Sequence, residues 1–148
     1  MVLQSPAFTA GAEIPAVYTC DGSDTAPPLS WSGVPAKTKS LVLVVDDPDA
    51  PGGTWVHWVV YNLPPGAGKL AAGGALPKGA LLGKNSWKKA AYGGPCPPSG
   101  RHRYSHRLYA LDAVFPDLDG PTAATLGQAM QGHMLAVAEL VGTYERKR

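Results

Sequence analysis

The chain has 148 residues and a mass of 15.4 kDa, the size of one domain that buries about two-thirds of its unfolded surface. Charged residues make up 16% and hydrophobic residues 45%, which excludes disorder by charge excess, and 18 glycines and 15 prolines without a fixed period exclude collagen and long helical bundles. A net charge of +2 with scattered Lys and Arg argues against nucleic acid as a partner, and the basic end Arg146-Lys147-Arg148 reads as a solvated tail.

Residues 1–11 hold no positively charged start followed by an apolar stretch, and no later run approaches about eighteen apolar residues. The expectation is a soluble, cytoplasmic chain with no membrane insertion. Cys20 and Cys96 lie far apart and form neither a zinc pattern nor a disulfide framework, so both are expected to be reduced. The run from Ser40 to Asp46 is β-branched, short and closed by the turn-rich DDPDAPGG, and reads as a buried strand. Thr54 to Leu63 follows, and strict alternation puts Trp55, His57, Val59 and Tyr61 on one face and Val56, Trp58, Val60 and Asn62 on the other. Both faces are apolar, as in a central strand.

From Pro64 to Lys84 the composition shifts to Gly, Ala, Lys and Pro, which reads as a surface excursion. Arg101 to Asp112 is a third strand, with His102, Tyr104, His106, Leu108 and Ala110 on one face and Arg103, Ser105, Arg107 and Tyr109 on the other. A helix starts after Thr122 as N-cap, with Leu126, Ala129, Met130, His133 and Met134 on one stripe and Gly132 near its end. His133 is then a core histidine. Residues 135–144 fit either a continued helix or a final strand. Several strands, one helix and no βαβ alternation predict one mainly β domain over residues 1–148, an antiparallel β-sandwich with short helical additions.

Two polar concentrations could carry chemistry. In the first, a proline-stiffened turn delivers Asp47 to a rim shared with Trp55 and His57, while Asp46 and Asp49 suit turn hydrogen bonds. In the second, glycines in Tyr92-Gly-Gly-Pro-Cys-Pro-Pro-Ser-Gly expose backbone amides, prolines hold the loop, and His102 and Tyr104 follow on the next strand. That combination reads as an anion cradle built on Gly93 and Gly94. A metal site from His57, His102 and a carboxylate, or nucleophilic catalysis by Cys96 with His102, has less support, because close-spaced ligands are missing and prolines flank the cysteine. No cofactor and no resident metal is expected. His106 reads as a packing residue, Arg103 as partner to a buried carboxylate, and Trp31, Trp58 and Trp87 as core or surface anchors.

The segments DDPDAPGGTWVHWVVYNLP and GPCPPSGRHRY resemble the two characteristic regions of the phosphatidylethanolamine-binding protein family, also called Raf kinase inhibitor-like proteins, in its compact prokaryotic branch. SPAF, IPAVYTCDG, PPLSWSGVP and GHMLAVAELVGTY extend the likeness over nearly the whole chain. The resemblance implies a large antiparallel sheet packed on a smaller one, a strand for the last segment, and a surface pocket for phosphate or a phospholipid head group. Carried over by motif, Asp47, Trp55, His57, Gly94, His102 and Tyr104 bind the ligand, and Asp49, Pro95 and Cys96 support the loop. Val56 stands where animal relatives carry a second histidine, and Cys96 where they carry a loop proline. The function implied is non-enzymatic binding of a small anionic ligand, with a protein partner such as a kinase or protease and a homodimer as further implications. The alternative is a phosphoester hydrolase using Asp47, His57 and His102. A protonated imidazole attracts an anion better, so affinity is expected to fall as pH rises through the histidine range.

Overall fold

The computed structural model describes residues 1–147; Arg148, the last residue of the basic tail, lies outside them. Alternating apolar sequence forms eight strands: β1 Val2–Gln4, β2 Leu29–Ser32, β3 Ser40–Asp47, β4 Trp55–Leu63, β5 Lys69–Leu70, β6 Leu81–Leu82, β7 His102–Leu111 and β8 Met134–Tyr144. One α-helix, α1 (Ala123–Met130), precedes β8. Two antiparallel sheets result, a small one ordered β1-β2-β5 and a large one ordered β6-β4-β3-β7-β8. The mainly β, two-sheet expectation holds, and the last segment is a strand.

The shared core lies between the sheets. Leu41, Leu43 and Val45 of β3, Trp58 and Val60 of β4, Tyr104, Leu108 and Ala110 of β7 and Leu140 of β8 pack against Leu3, Leu29, Trp31 and Leu70 of the small sheet. On the outer face, Val42, Val59, Tyr61 and Leu111 are covered by Leu126 and Met130 of α1. Thr122 caps that helix, its hydroxyl oxygen accepting the Thr125 N–H at 3.1 Å. The helix ends at Met130, sooner than its stripe predicts, because Gln131 turns extended and Gly132 adopts a left-handed φ of 81°. His133 is therefore not a core histidine: it stands half-exposed beyond the helix and bonds the Asp112 carboxylate at 2.9 Å.

Three further departures have local causes. The excursion of residues 64–84 is more than a surface loop, since it supplies β5 and β6, an edge strand for each sheet. Arg146 and Lys147 are docked rather than free, on Asp21 and Glu13. Cys20 and Cys96 are joined in a disulfide, against the expectation of free thiols; two loops that no sequence spacing connects are brought together by the fold. That bond also removes the ground for assigning a reducing compartment. Among the described residues, no helix is long and apolar enough to cross a membrane.

Candidate functional site

Strand β4 does not alternate strictly, and the exception builds the site. Val45 pairs with Trp58 while the next residue, Asp46, pairs with Val56, so His57 is the extra residue of a β-bulge. Val56 and Val59 belong to the outer face and Trp58 to the inner core. The bulge turns His57 to the same side as Trp58, where its ring meets Tyr104 edge-on at 5.4 Å between centroids. Strict alternation had placed His57 opposite Trp58, together with Val59 and Tyr61.

Asp47 closes β3 at the start of the proline turn, and both its oxygens are engaged. Oδ1 accepts the Asp49 N–H at 2.8 Å and Oδ2 accepts the His102 Nδ1–H at 2.6 Å. A carboxylate can only accept, so His102 carries its shared proton on Nδ1 and keeps Nε2 as its other polar atom. The His57 Nδ1–H likewise donates to the Gly93 carbonyl at 2.7 Å. Burial lowers the His57 pKa, opposed by the Gly93 carbonyl and the Asp47 charge, so His57 is a neutral ring at neutral pH. Tyr104 is buried with its hydroxyl shielded from solvent, and burial together with the neighbouring Asp47 carboxylate pushes its pKa up. It stays a phenol.

These groups surround a cavity of about 180 Å³ lined by Asp47, His57, His102 and Tyr104 with Trp55, Trp87, Pro51, Pro97, Pro98 and Cys96. Trp55 and Trp87 meet edge-to-face at 5.5 Å and stay partly exposed at 37% and 42%, forming a rim. Trp87 is the wall residue that sequence reasoning treated as a mere anchor; its only sequence signal is its place shortly before the glycine loop. Among the described residues, no Lys or Arg lines the cavity.

Gly93 and Gly94 do not form an amide cradle. The Gly93 N–H donates to the His57 carbonyl at 3.0 Å and the Gly94 N–H to the Asp24 carboxylate at 2.8 Å. Gly94 lines the neighbouring cleft rather than this cavity, and glycine is needed there because a Cβ would strike Asp24 and the Tyr18 carbonyl. The Pro95 carbonyl accepts the Cys20 N–H at 3.1 Å, the Tyr92 hydroxyl donates to the Tyr18 carbonyl at 2.8 Å, and the disulfide links the same two loops. Asp49 clamps the proline turn to β7 through two bonds from the Arg103 guanidinium, at 3.0 and 2.8 Å, and one from its backbone N–H. The guanidinium holds the Asp49 carboxyl at a pKa of about 2. Arg103 thus pairs with a carboxylate, but an accessible one, not the buried partner expected. His106 is buried, packs on Phe8 at 5.5 Å and takes no part in the cavity. Among the described residues, no group of three or more His, Cys, Asp and Glu is placed to hold a metal ion.

A two-sheet β fold with one histidine-lined cleft at the end of its large sheet defines a class, and three comparisons identify it. The family model described as phosphatidylethanolamine-binding protein matches residues 4–145. A UPF0098 protein of Methanothermobacter thermautotrophicus is 48% identical over 99% of both chains, and one of Chlamydia trachomatis is 48% identical with the same coverage. The crystal structure of a phosphatidylethanolamine-binding protein homologue from Chlamydia trachomatis superposes with a TM-score of 0.94 at 47% identity, covering 98% of this chain and 97% of that one. That of Escherichia coli YbcL, described as a member of the mammalian family, gives 0.90 at 35% identity, covering 99% and 98%. This chain belongs to the phosphatidylethanolamine-binding protein family.

Proposed function

We propose that the cavity binds small oxyanions of the phosphate type and does not turn them over. The observation that carries this reading is a cavity flanked by two imidazoles, His57 and His102, whose Nδ1 atoms are already held by the Gly93 carbonyl and the Asp47 carboxylate, leaving the two Nε2 atoms as their remaining polar valences. Such groups suit a tetrahedral oxyanion, and the Trp55–Trp87 rim suits an organic group attached to it. Binding is favoured over hydrolysis because the two candidate nucleophiles are engaged: both Asp47 oxygens are bonded and Cys96 is in a disulfide. Asp47 instead orients His102. The disulfide suits an oxidising compartment.

Calorimetric titration with inorganic phosphate and phosphoethanolamine tests this. Losing one hydrogen bond to a charged group costs about 1.5–3 kcal/mol, so His102→Ala should bind roughly tenfold or more weakly than wild type. Affinity should also fall as pH rises from about 5.5 to 8, because the singly charged, protonated form of the phosphate ligand is then lost to the doubly charged one, which a cavity lined by Asp47 and no cationic side chain among the described residues holds less well. Equal affinity in both proteins would remove His102 from the site, and release of phosphate from a phosphoester that disappears in His57→Ala would replace binding by catalysis.

A further inference from the structure

We propose that the Cys20–Cys96 disulfide is a redox switch on the cavity: oxidised, it holds the glycine-proline loop as a wall, and reduction by a dithiol releases that loop and weakens oxyanion binding. The proposal rests on the oxyanion reading above and adds its regulation.

Its basis is where the bond sits. Chains of this size can fold on an apolar core without covalent staples, and neither cysteine belongs to the cores on the two faces of the large sheet. The bond instead joins two loops at the edge of the site. Cys96 and Trp87 line both the cavity of about 180 Å³ and the neighbouring cleft of about 470 Å³, whereas Cys20 lines only the cleft. The disulfide is thus part of the partition between them. Cys96 is exposed and Cys20 half-buried, so a reductant can approach the bond from solvent. Exposed disulfides are the more readily reduced ones, and regulatory bonds are drawn from them.

The loop carries that constraint to a site imidazole. Gly93 exchanges two hydrogen bonds with His57: its N–H donates to the His57 carbonyl at 3.0 Å, and its carbonyl accepts the His57 Nδ1–H at 2.7 Å. Trp87 meets the same ring edge-on at 5.0 Å between centroids. After Gly93 the anchors run to the loop that carries Cys20. The Gly94 N–H donates to the Asp24 carboxylate at 2.8 Å, the Cys20 N–H donates to the Pro95 carbonyl at 3.1 Å, and the sulfur bond follows at Cys96. Three of residues 95–98 are prolines, which bring no backbone donor. Cutting the sulfur bond removes the covalent tie beside Pro97 and Pro98 of the cavity wall, and shifts the hold on Gly93 to hydrogen bonds between loops, which open locally at low cost.

The step is thiol–disulfide exchange, and it balances. A thiolate of the dithiol attacks Sγ of the exposed Cys96, a mixed disulfide forms, and Cys20 leaves as a thiolate. The second thiol of the reductant then closes on the first and releases Cys96. Two electrons and two protons pass from the dithiol to the cysteine pair. Linkage makes the coupling mutual: whatever factor reduction takes from phosphate affinity, bound phosphate returns as resistance to reduction. A bond that served stability alone would show no such bias from a ligand.

The experiment compares the full chain oxidised and after reduction with dithiothreitol, a thiol count confirming each state. Calorimetric titration with inorganic phosphate should show binding at least about tenfold weaker in the reduced chain, restored on reoxidation. In a dithiothreitol redox buffer, saturating phosphate should lower the reduction potential of the cysteine pair by about 30 mV or more, which is the same tenfold factor for a two-electron couple. Amide hydrogen exchange needs no ligand: the Gly94 and Cys20 N–H groups should exchange at least about tenfold faster in the reduced chain, while those of Val44 in β3 and Leu108 in β7 keep their rates. Equal phosphate affinity in the two states, or unchanged exchange at Gly94 and Cys20, would overturn the switch and leave the oxyanion site standing. Exchange that quickens throughout β3 and β7 would make the bond a staple for the whole fold and overturn the switch as well. No phosphate binding by the oxidised chain would overturn the oxyanion reading itself, and the switch with it.

Discussion

His106 shows what burial does to a single imidazole. It sits on the inner face of β7 against Phe8, donating weakly to the Tyr104 and Leu140 carbonyls at 3.2 Å each, and burial lowers its pKa to about 4. The folded chain thus keeps His106 neutral where the unfolded chain, with an ordinary histidine pKa near about 6.5, has begun to take up a proton. Stability from this residue is complete above the unfolded value. It falls as pH drops from about 6.5 to 4, by roughly 3 kcal/mol in all, and no further below that. Urea unfolding of wild type and His106→Phe at pH 7 and pH 4.5 checks this: the ring-for-ring substitution keeps the packing, so its stability should drop less over that interval. Parallel losses would show that His106 protonates freely in the folded state. Residue type and position on a face made its packing role legible, because β7 alternates without interruption against β3. The orientation of His57 was not legible, since one inserted residue in β4 reverses the face and leaves no mark in the pattern of apolar side chains.

Among the elements, the glycine-proline loop is the least self-sufficient and the most dependent on a distant one. Residues 92–96 carry no regular structure; three hydrogen bonds to residues 18–24 and the Cys20–Cys96 disulfide hold them as the cavity wall. A cross-link spanning 76 positions removes much chain entropy from the unfolded state, and such bonds typically stabilise by about 2–4 kcal/mol. The Cys20→Ser, Cys96→Ser double variant should lose about that much on thermal or urea unfolding, and should bind phosphate more weakly because Pro97 and Pro98 of the wall are less fixed. An unchanged melting temperature would mean that the hydrogen bonds alone suffice. Strands β3, β4 and β7 were readable from their β-branched, alternating sequence, and Thr122 from its capping chemistry. The edge strands β5 and β6 were not, because two residues each are too few for any period to register. The disulfide and the fate of the Gly94 amide depend on contacts between remote loops, and no local signal records them.

For the whole molecule, the large sheet acts as a frame that brings two distant stretches of chain to one end. The end of β3, the bulged start of β4 and the start of β7 are neighbours in the order β4-β3-β7, so Asp47, His57 and His102 converge although up to 55 positions separate them in sequence. Apolar packing on both faces of that sheet makes the frame rigid, and buried hydrogen bonds set each ring within it. Periodicity marked the two motifs singly, and only the family resemblance joined them in one pocket; that they share a cavity follows from strand order, which periodicity does not specify. The most direct test of that convergence is a histidine-ring nitrogen spectrum recorded while inorganic phosphate is added. The account predicts that the His57 and His102 rings shift together along one saturation curve while buried His106 stays in place. Rings that respond at different phosphate concentrations, or not at all, would contradict it.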